Sequence, residues 1–218
     1  MKFYNSIGPN PHVVRMFAAE KGLSLDTVNV DLLAGENRQA AHMARNPSGT
    51  TPALELDTGK FIAEITVIAD YLEELHPTPA LIGSTPEERA ETRMWTRRID
   101  LGILEPMTNG FRASEGRGLF EPRMKLVSPE AAAELKALAR HKLLWLDKEL
   151  EGRQFVCGDR FTLADILLFA FMAFGAEIGQ PIPDEAKWLK AWFERVKARP
   201  SAAARARGPR RGSTRSRR

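Results

Sequence analysis

The sequence predicts an α/β domain followed by an all-helical domain. Three observations predict it. Over residues 1–75, short runs that alternate apolar and polar residues are interleaved with stretches of helical period, in the order β-α-β-α-β-β-α. Prolines at 77 and 79 then break the pattern, and from residue 86 onward only helical periodicity remains. The expected organisation is a first domain at 1–76, a linker at 77–85, a helical domain at 86–204 and a disordered arginine-rich tail at 205–218.

Lys2–Asn5 reads as the first strand and Pro11–Gly22 as the first helix. A proline suits a first turn, Val13, Val14, Phe17 and Ala18 form a stripe, and glycine ends the element. Thr27–Leu32 alternates as a second strand, and Asn37–Arg45 is a weak, polar helix. Pro52–Leu56 and Lys60–Ala63 flank Asp57-Thr58-Gly59, a hairpin signature because glycine accepts a positive φ. A helix starting near Glu64 shows Ile65, Ile68, Ala69, Leu72 and Leu75 on one face, which leaves Asp70 and Glu73 to solvent. Two parallel strands extended by an antiparallel pair is the thioredoxin-like arrangement, since crossovers are right-handed.

Thr85-Pro86-Glu87-Glu88 carries an N-cap, a first-turn proline and a capping-box glutamate. A long helix runs from there to about Gly116, with bends expected at Pro106 and Gly110. Pro129–Leu150 is another helix, striped by Leu135, Leu138, Ala139, Lys142, Leu143, Leu146 and Leu150. In 158–176, Thr162 and Asp165 form a capping pair flanked by Phe161 and Ile166 as a hydrophobic staple, and the apolar run that follows reads as a buried helix.

Composition narrows the function. The single cysteine, Cys157, excludes a disulfide framework and any C-x-x-C motif, and a reducing cytoplasmic home follows. The run Ile166–Ala176 is shorter than the roughly 18 residues a membrane span requires. The first residues lack the apolar core of a secretory leader. Net charge is +4, but residues 205–218 hold seven arginines and no acid, so removing +7 leaves −3 on the rest. No aromatic residue interleaves those arginines, so no specific nucleic-acid partner is expected. The four histidines show no metal-ligand spacing, and there is no glycine-rich phosphate loop.

Two stretches carry a resemblance. N-P-S-G-T-T-P-A-L from Asn46, the hairpin, the single acidic Glu64 and a helix ending Y-L-E-E resemble the thioredoxin-like half of cytosolic glutathione S-transferases. The Thr162/Asp165 box and Trp188-x-x-x-Trp192-x-x-Arg195-x-x-x-Arg199-Pro200 resemble their helical half, so the likeness covers about residues 1–204. It implies a detoxifying, homodimeric transferase that uses glutathione as co-substrate, without a metal or a membrane, and joins its thiolate to a small hydrophobic electrophile. A glutathione-dependent disulfide reductase and a non-catalytic glutathione-binding module are the alternatives.

The resemblance also assigns positions. Thr51 would pair its backbone with the cysteinyl unit in front of a cis Pro52, and Glu64 would meet the γ-glutamyl ammonium. Ile65 occupies the usual serine position, so carboxylate binding falls to its N–H or to Thr66. Arg38 and Asn37 are candidates for the glycyl carboxylate. Aligned on G-P-N-P-H-V-V-R, the positions that hold serine or cysteine in most classes are Gly8, Asn10 and Pro11. This is similar to bacterial nu-class enzymes and to an atypical fungal class. Asn10 is then the candidate for the thiolate, or a loop asparagine that caps the first helix. Ser6 is a second candidate, or packs beneath the loop. Tyr4 reads as a core aromatic, and His12 as solvated or bordering the site. Trp95, Met107, Thr108, Phe111 and Arg112 are the expected electrophile pocket.

Overall fold

The computed structural model describes residues 1–204, so the arginine-rich stretch 205–218 lies outside the described residues. Strand β1 (Lys2–Asn5) leads through a tight turn into helix α1 (Pro9–Glu20), and β2 (Asp26–Asn29) returns parallel to β1. A 3₁₀ turn at Glu36–Arg38 and short α2 (Ala40–Met43) precede the hairpin of β3 (Ala53–Glu55) and β4 (Phe61–Ala63). Helix α3 (Ile65–Leu75) completes the unit. The strand order is β2-β1-β3-β4, parallel on one side of β1 and antiparallel on the other, as the pattern predicts.

β2 ends earlier than its alternation suggests. Asp31 accepts the N–H groups of Leu33 and Ala34 at 2.9 and 3.0 Å, and this Asx-type turn takes the chain off the sheet. All four β2 residues are exposed, as befits an edge. In α3, Ile68, Ala69 and Leu72 are buried but Leu75 is 48% exposed. Glu73 overturns its expected place in solvent. It is buried and pairs with Lys21 at 2.6 Å, while its oxygens accept from the N–H groups of Leu81 and Ile82. Asp70 sits on the surface and pairs with Arg93 of the next helix at 2.8 Å.

The segment read as a linker is anchored. Leu81 and Ile82 are buried, and Leu81 O accepts from Leu163 N–H at 2.8 Å. Helix α4 (Pro86–Ile99) starts on Thr85, whose hydroxyl accepts from Glu88 N–H. A π turn at Asp100–Leu104 then leads into α5 (Glu105–Ala113), where one long helix bent at Pro106 and Gly110 was expected. Pro106 has no N–H for the carbonyl four residues back, and the wider turn lies over that gap. Gly110 causes no bend. A Cβ there would lie 2.5 Å from Lys136 Cγ and 3.0 Å from Ala132 O, so the glycine permits close packing. Those neighbours belong to α7 (Pro129–Glu149), which follows short α6 (Arg117–Phe120). The buried stripe of α7 is Ala132, Ala139, Leu143 and Leu146, with Leu138 exposed.

Helix α8 (Leu163–Glu177) is the apolar centre of the helical half, and α9 (Lys187–Lys197) packs on it. Asp165 joins them. Its Oδ2 accepts from the Thr162 N–H at 3.0 Å, and its Oδ1 accepts from Val156 N–H and Trp192 Nε1, each at 2.9 Å. Helix α1 packs against α3 on one side and α8 on the other, so one core runs from Phe3 and Phe17 through Leu72 and Ile99 to Leu168 and Trp192.

Candidate active site

Register brings the sequence-predicted residues to one end of the sheet. Tyr4 lies opposite Ala53, and Ala53 opposite Ala63. Continuing one residue sets Pro52 between Asn5 and Glu64, and two residues set Ser6 beside Thr51. Their hydroxyls confirm that alignment at 2.5 Å. The Thr51–Pro52 bond is cis.

Glu64 closes this end. Its φ of 67° makes it the single non-glycine residue with positive φ among the described residues, a conformation that costs on the order of 1–3 kcal/mol and concentrates at functional sites. It precedes α3 without capping it, so the first amides of that helix, on Ile65 and Thr66, have no side-chain acceptor. The Glu64 side chain is exposed, and its charge helps raise the pKa of Asp100, after burial and Glu105. Asp100 lies on the π turn. Arg97 opposes that rise, so these carboxylates, a gathering the sequence reading missed, share their field with a guanidinium. The arrangement presents uncapped helix amides, which suit an anion, and acidic side chains, which suit a cation, toward an open strand end.

Helix α1 begins at Pro9 with Gly8 as N-cap, at φ 103° and without a side-chain cap. Asn10 is therefore inside the first turn, which rules out its use as the cap. Prolines at 9 and 11 leave the N–H groups of Asn10 and His12 as the donors of that turn. The Asn10 side chain is half-buried and makes no hydrogen bond among the described residues. Ser6 does not suit the thiol. It is 3% exposed and its hydroxyl is engaged by Ile7 O and Thr51 beneath the turn. Tyr4 is buried, donates to Glu55 at 2.7 Å and lies on the sheet, as a core aromatic would. Asn37 is buried and donates to Gly49 O at 2.6 Å, so it braces the loop before Thr51. Arg38 is exposed, with one contact to Ser48 O at 3.4 Å.

The cleft in the structure is not lined by the residues expected to form the electrophile pocket. A cleft of about 160 Å³ is lined on one side by Ile7, Gly8, Pro9, His12 and Arg15, and on the other by Ala170, Ala173, Phe174 and Glu177 of α8. Trp95, Met107 and Thr108 are buried instead; Trp95 tilts against Trp145, and the Thr108 hydroxyl bonds back to Leu104 O at 2.8 Å. Phe111 meets Phe174 edge-on at 5.4 Å and so stands behind the cleft wall. Arg112 donates to Asn109 at 3.0 Å, and burial lowers its pKa. The wall was illegible because α8 is apolar on every side, so its period does not reveal which face borders a groove. Among the described residues no group of three His, Cys, Asp or Glu side chains could hold a metal ion. Nor is any helix among them long and apolar enough to cross a membrane.

A cis-proline strand end beside an uncapped helix, facing a helical domain across a cleft, defines the glutathione transferase architecture. Comparison with known proteins agrees. Residues 7–75 match the family described as glutathione S-transferase, N-terminal domain, and residues 117–200 match glutathione S-transferase, C-terminal domain. Glutathione S-transferase 2 of the yeast Saccharomyces cerevisiae is 37% identical over 198 residues, 89% of this chain and 84% of the yeast protein. The crystal structure of Gtt2 from Saccharomyces cerevisiae superposes with a TM-score of 0.85 at 36% identity, covering 92% of this chain and 98% of that one. A sphingomonad glutathione S-transferase complexed with glutathione has a TM-score of 0.77 at 25% identity, covering 94% and 96%. The chain belongs to the glutathione S-transferase family, a family of transferases.

Proposed function

We propose that this chain conjugates the glutathione thiolate to small hydrophobic electrophiles. One observation carries the reading: the cis Thr51–Pro52 bond, the uncapped start of α3 and the mouth of the cleft share one end of the sheet. The Thr51 main chain pairs with the cysteinyl unit. The Ile65 and Thr66 amides hold the γ-glutamyl carboxylate, helped by the Thr66 hydroxyl, while Glu64 and Asp100 hold its ammonium. Arg38 meets the glycyl carboxylate. The sulfur then reaches the first turn of α1, where the Asn10 amide donates to it. A free thiol has a pKa of about 8.5, and donors that favour the thiolate lower it. Sulfur attacks an electrophile lying on Ile7, Ala173 and Phe174; the S–C bond forms and the leaving group departs with its electron pair.

The chain works in a reducing cytoplasm as a detoxifying homodimer. Val67 of α3, Met94 of α4 and Leu101 just beyond are 48%, 40% and 50% exposed on helices joined by the Asp70–Arg93 pair, a surface suited to a second copy.

Retention on immobilised glutathione, followed by turnover of an aryl halide and of a small mixed disulfide, tests this. The protein should be retained and should turn over the halide faster. Asn10→Ala should lower kcat/KM roughly tenfold, about one hydrogen bond. Disulfide turnover above conjugation would make it a reductase, and retention without either reaction would make it a binding module.

A further inference from the structure

The chain after α9 doubles back along the first helix. Arg199 donates to both oxygens of Glu20 at 2.8 and 2.7 Å, and the Ser201 hydroxyl donates to the same carboxylate. Ala202 O lies 3.3 Å from His12 Nε2, and Ala204 O accepts from Arg15 Nε at 2.7 Å. The segment is thus fastened from the last turn of α1 back to its first. Two of the α1 residues that hold it, His12 and Arg15, also line the cleft.

Arg15 has a second hold. Its Nη1 donates to Asn5 Oδ1 and, at 3.3 Å, to Ser6 O. Asn5 is fixed from the far side by its donation to Asn29 at 2.7 Å. The two residues after Ser6 are Ile7 and Gly8 of the cleft wall. One planar guanidinium therefore spans the β1–α1 turn and the end of the described chain, a geometry that a lysine ammonium cannot reproduce. No carboxylate among the described residues lies within ion-pair distance of Arg15, although Glu177 of α8 and His12 share its cleft. Burial pushes its pKa down to about 10, so it remains cationic at neutral pH.

We propose that Arg15 is a positioning residue for conjugation: it holds the β1–α1 turn against residues 199–204, and the uncompensated charge it keeps there favours a thiolate in the cleft. This rests on the transferase reading. It also makes thiol ionisation depend on Glu20, which lies at the other end of α1 and outside the cleft.

Full-length Arg15→Gln, Arg15→Lys and Glu20→Ala test it, read by the ultraviolet absorbance of the enzyme-bound thiolate against pH and by the pH profile of kcat/KM. Arg15→Gln should raise the apparent thiol pKa by about one unit, a tenfold loss on the acid limb. Arg15→Lys should recover only part of this. Glu20→Ala should shift the titration the same way by roughly threefold, because the segment that Arg15 leans on is released. These titrations report only folded, glutathione-bound protein, so a destabilised variant still answers. Wild-type titrations in both Arg15→Gln and Glu20→Ala would overturn the proposal. Failure of the wild type itself to bind glutathione would instead remove the transferase reading, and this proposal with it.

Discussion

The open end of the sheet and the buried start of α8 solve the same problem, unpaired helix amides, in opposite ways. At α8 a side chain answers: Asp165 is fully enclosed and accepts from Thr162, Val156 and Trp192, so one carboxylate joins a helix, a turn and α9. At α3 nothing answers within the described protein, and the amides face outward beside Glu64 in its left-handed conformation. The first arrangement stores stability; the second leaves binding capacity unused until a ligand arrives. Recognition by main chain also frees the side chains. On the proposed reading, that lets Ile65 stand where a serine is usual, and lets a turn without Tyr, Ser or Cys at its aligned positions serve a thiol.

The comparison breaks most visibly at Asp165. Replacing it by alanine strands three N–H donors in the interior, and unfolding in urea should show a loss of about 4 kcal/mol. The KM for glutathione of the remaining folded protein should stay within about twofold, since the hub touches no site residue. pH adds a signature. Burial, opposed by the hydrogen bonds from Val156, Trp192 and Thr162, pushes the Asp165 pKa up to about 6, from an ordinary 3.8. The folded state then keeps a proton that the unfolded chain releases. Its contribution to stability is complete below about pH 4 and is lost as pH rises through 6, about 3 kcal/mol in all. Asp165→Asn removes that titration, so the gap between wild type and variant should narrow from pH 4 to 7. A constant gap would mean that the carboxylate is ionised throughout.

How much of this was legible follows from the same contrast. Local side-chain devices announce themselves: the Thr162/Asp165 pair, the Thr85 cap and the Asp57-Thr58-Gly59 hairpin all lie within a few residues, and all stand where the pattern puts them. Alternation and handedness left few strand orders open, and the observed one is among them. Long-range pairings left no local mark. Lys21 and Glu73 each look like solvated charge until folding encloses them together. Gly110 reads as a helix bend because its reason, close packing on Lys136 and the Ala132 backbone of α7, is remote in sequence. The cleft wall on α8 and the Asp100 carboxylate were missed for related causes. One is an all-round apolar helix, and the other sits on a π turn that no period predicts.

Glu64→Gly separates binding from stability in the reverse sense to Asp165→Ala. Glycine accepts a φ of 67° freely, and the relief of about 1–3 kcal/mol is offset by its greater chain entropy of about 0.5–1 kcal/mol. Thermal unfolding should therefore show an unchanged or slightly raised midpoint. Glutathione affinity should fall about tenfold, the worth of one charge-assisted hydrogen bond. A variant that is destabilised but binds normally would show that Glu64 is there for the fold.

Ile65→Ser probes the comparison most gently and sharpens it most. The change places a hydroxyl at the first residue of α3, beside the amides proposed to receive the γ-glutamyl carboxylate. It also withdraws a half-buried side chain that packs on the core, which should cost about 1–2 kcal/mol of stability. Serine and isoleucine differ little in helix propensity, so the helix itself should persist. If the main chain carries the grip, one added neutral hydrogen bond lowers the glutathione KM by only about three- to tenfold. Steady-state kinetics at saturating electrophile would read this directly. A gain of a hundredfold or more would mean that the hydroxyl is the principal contact. The uncapped amides of α3 could not then be the main binding device of this chain.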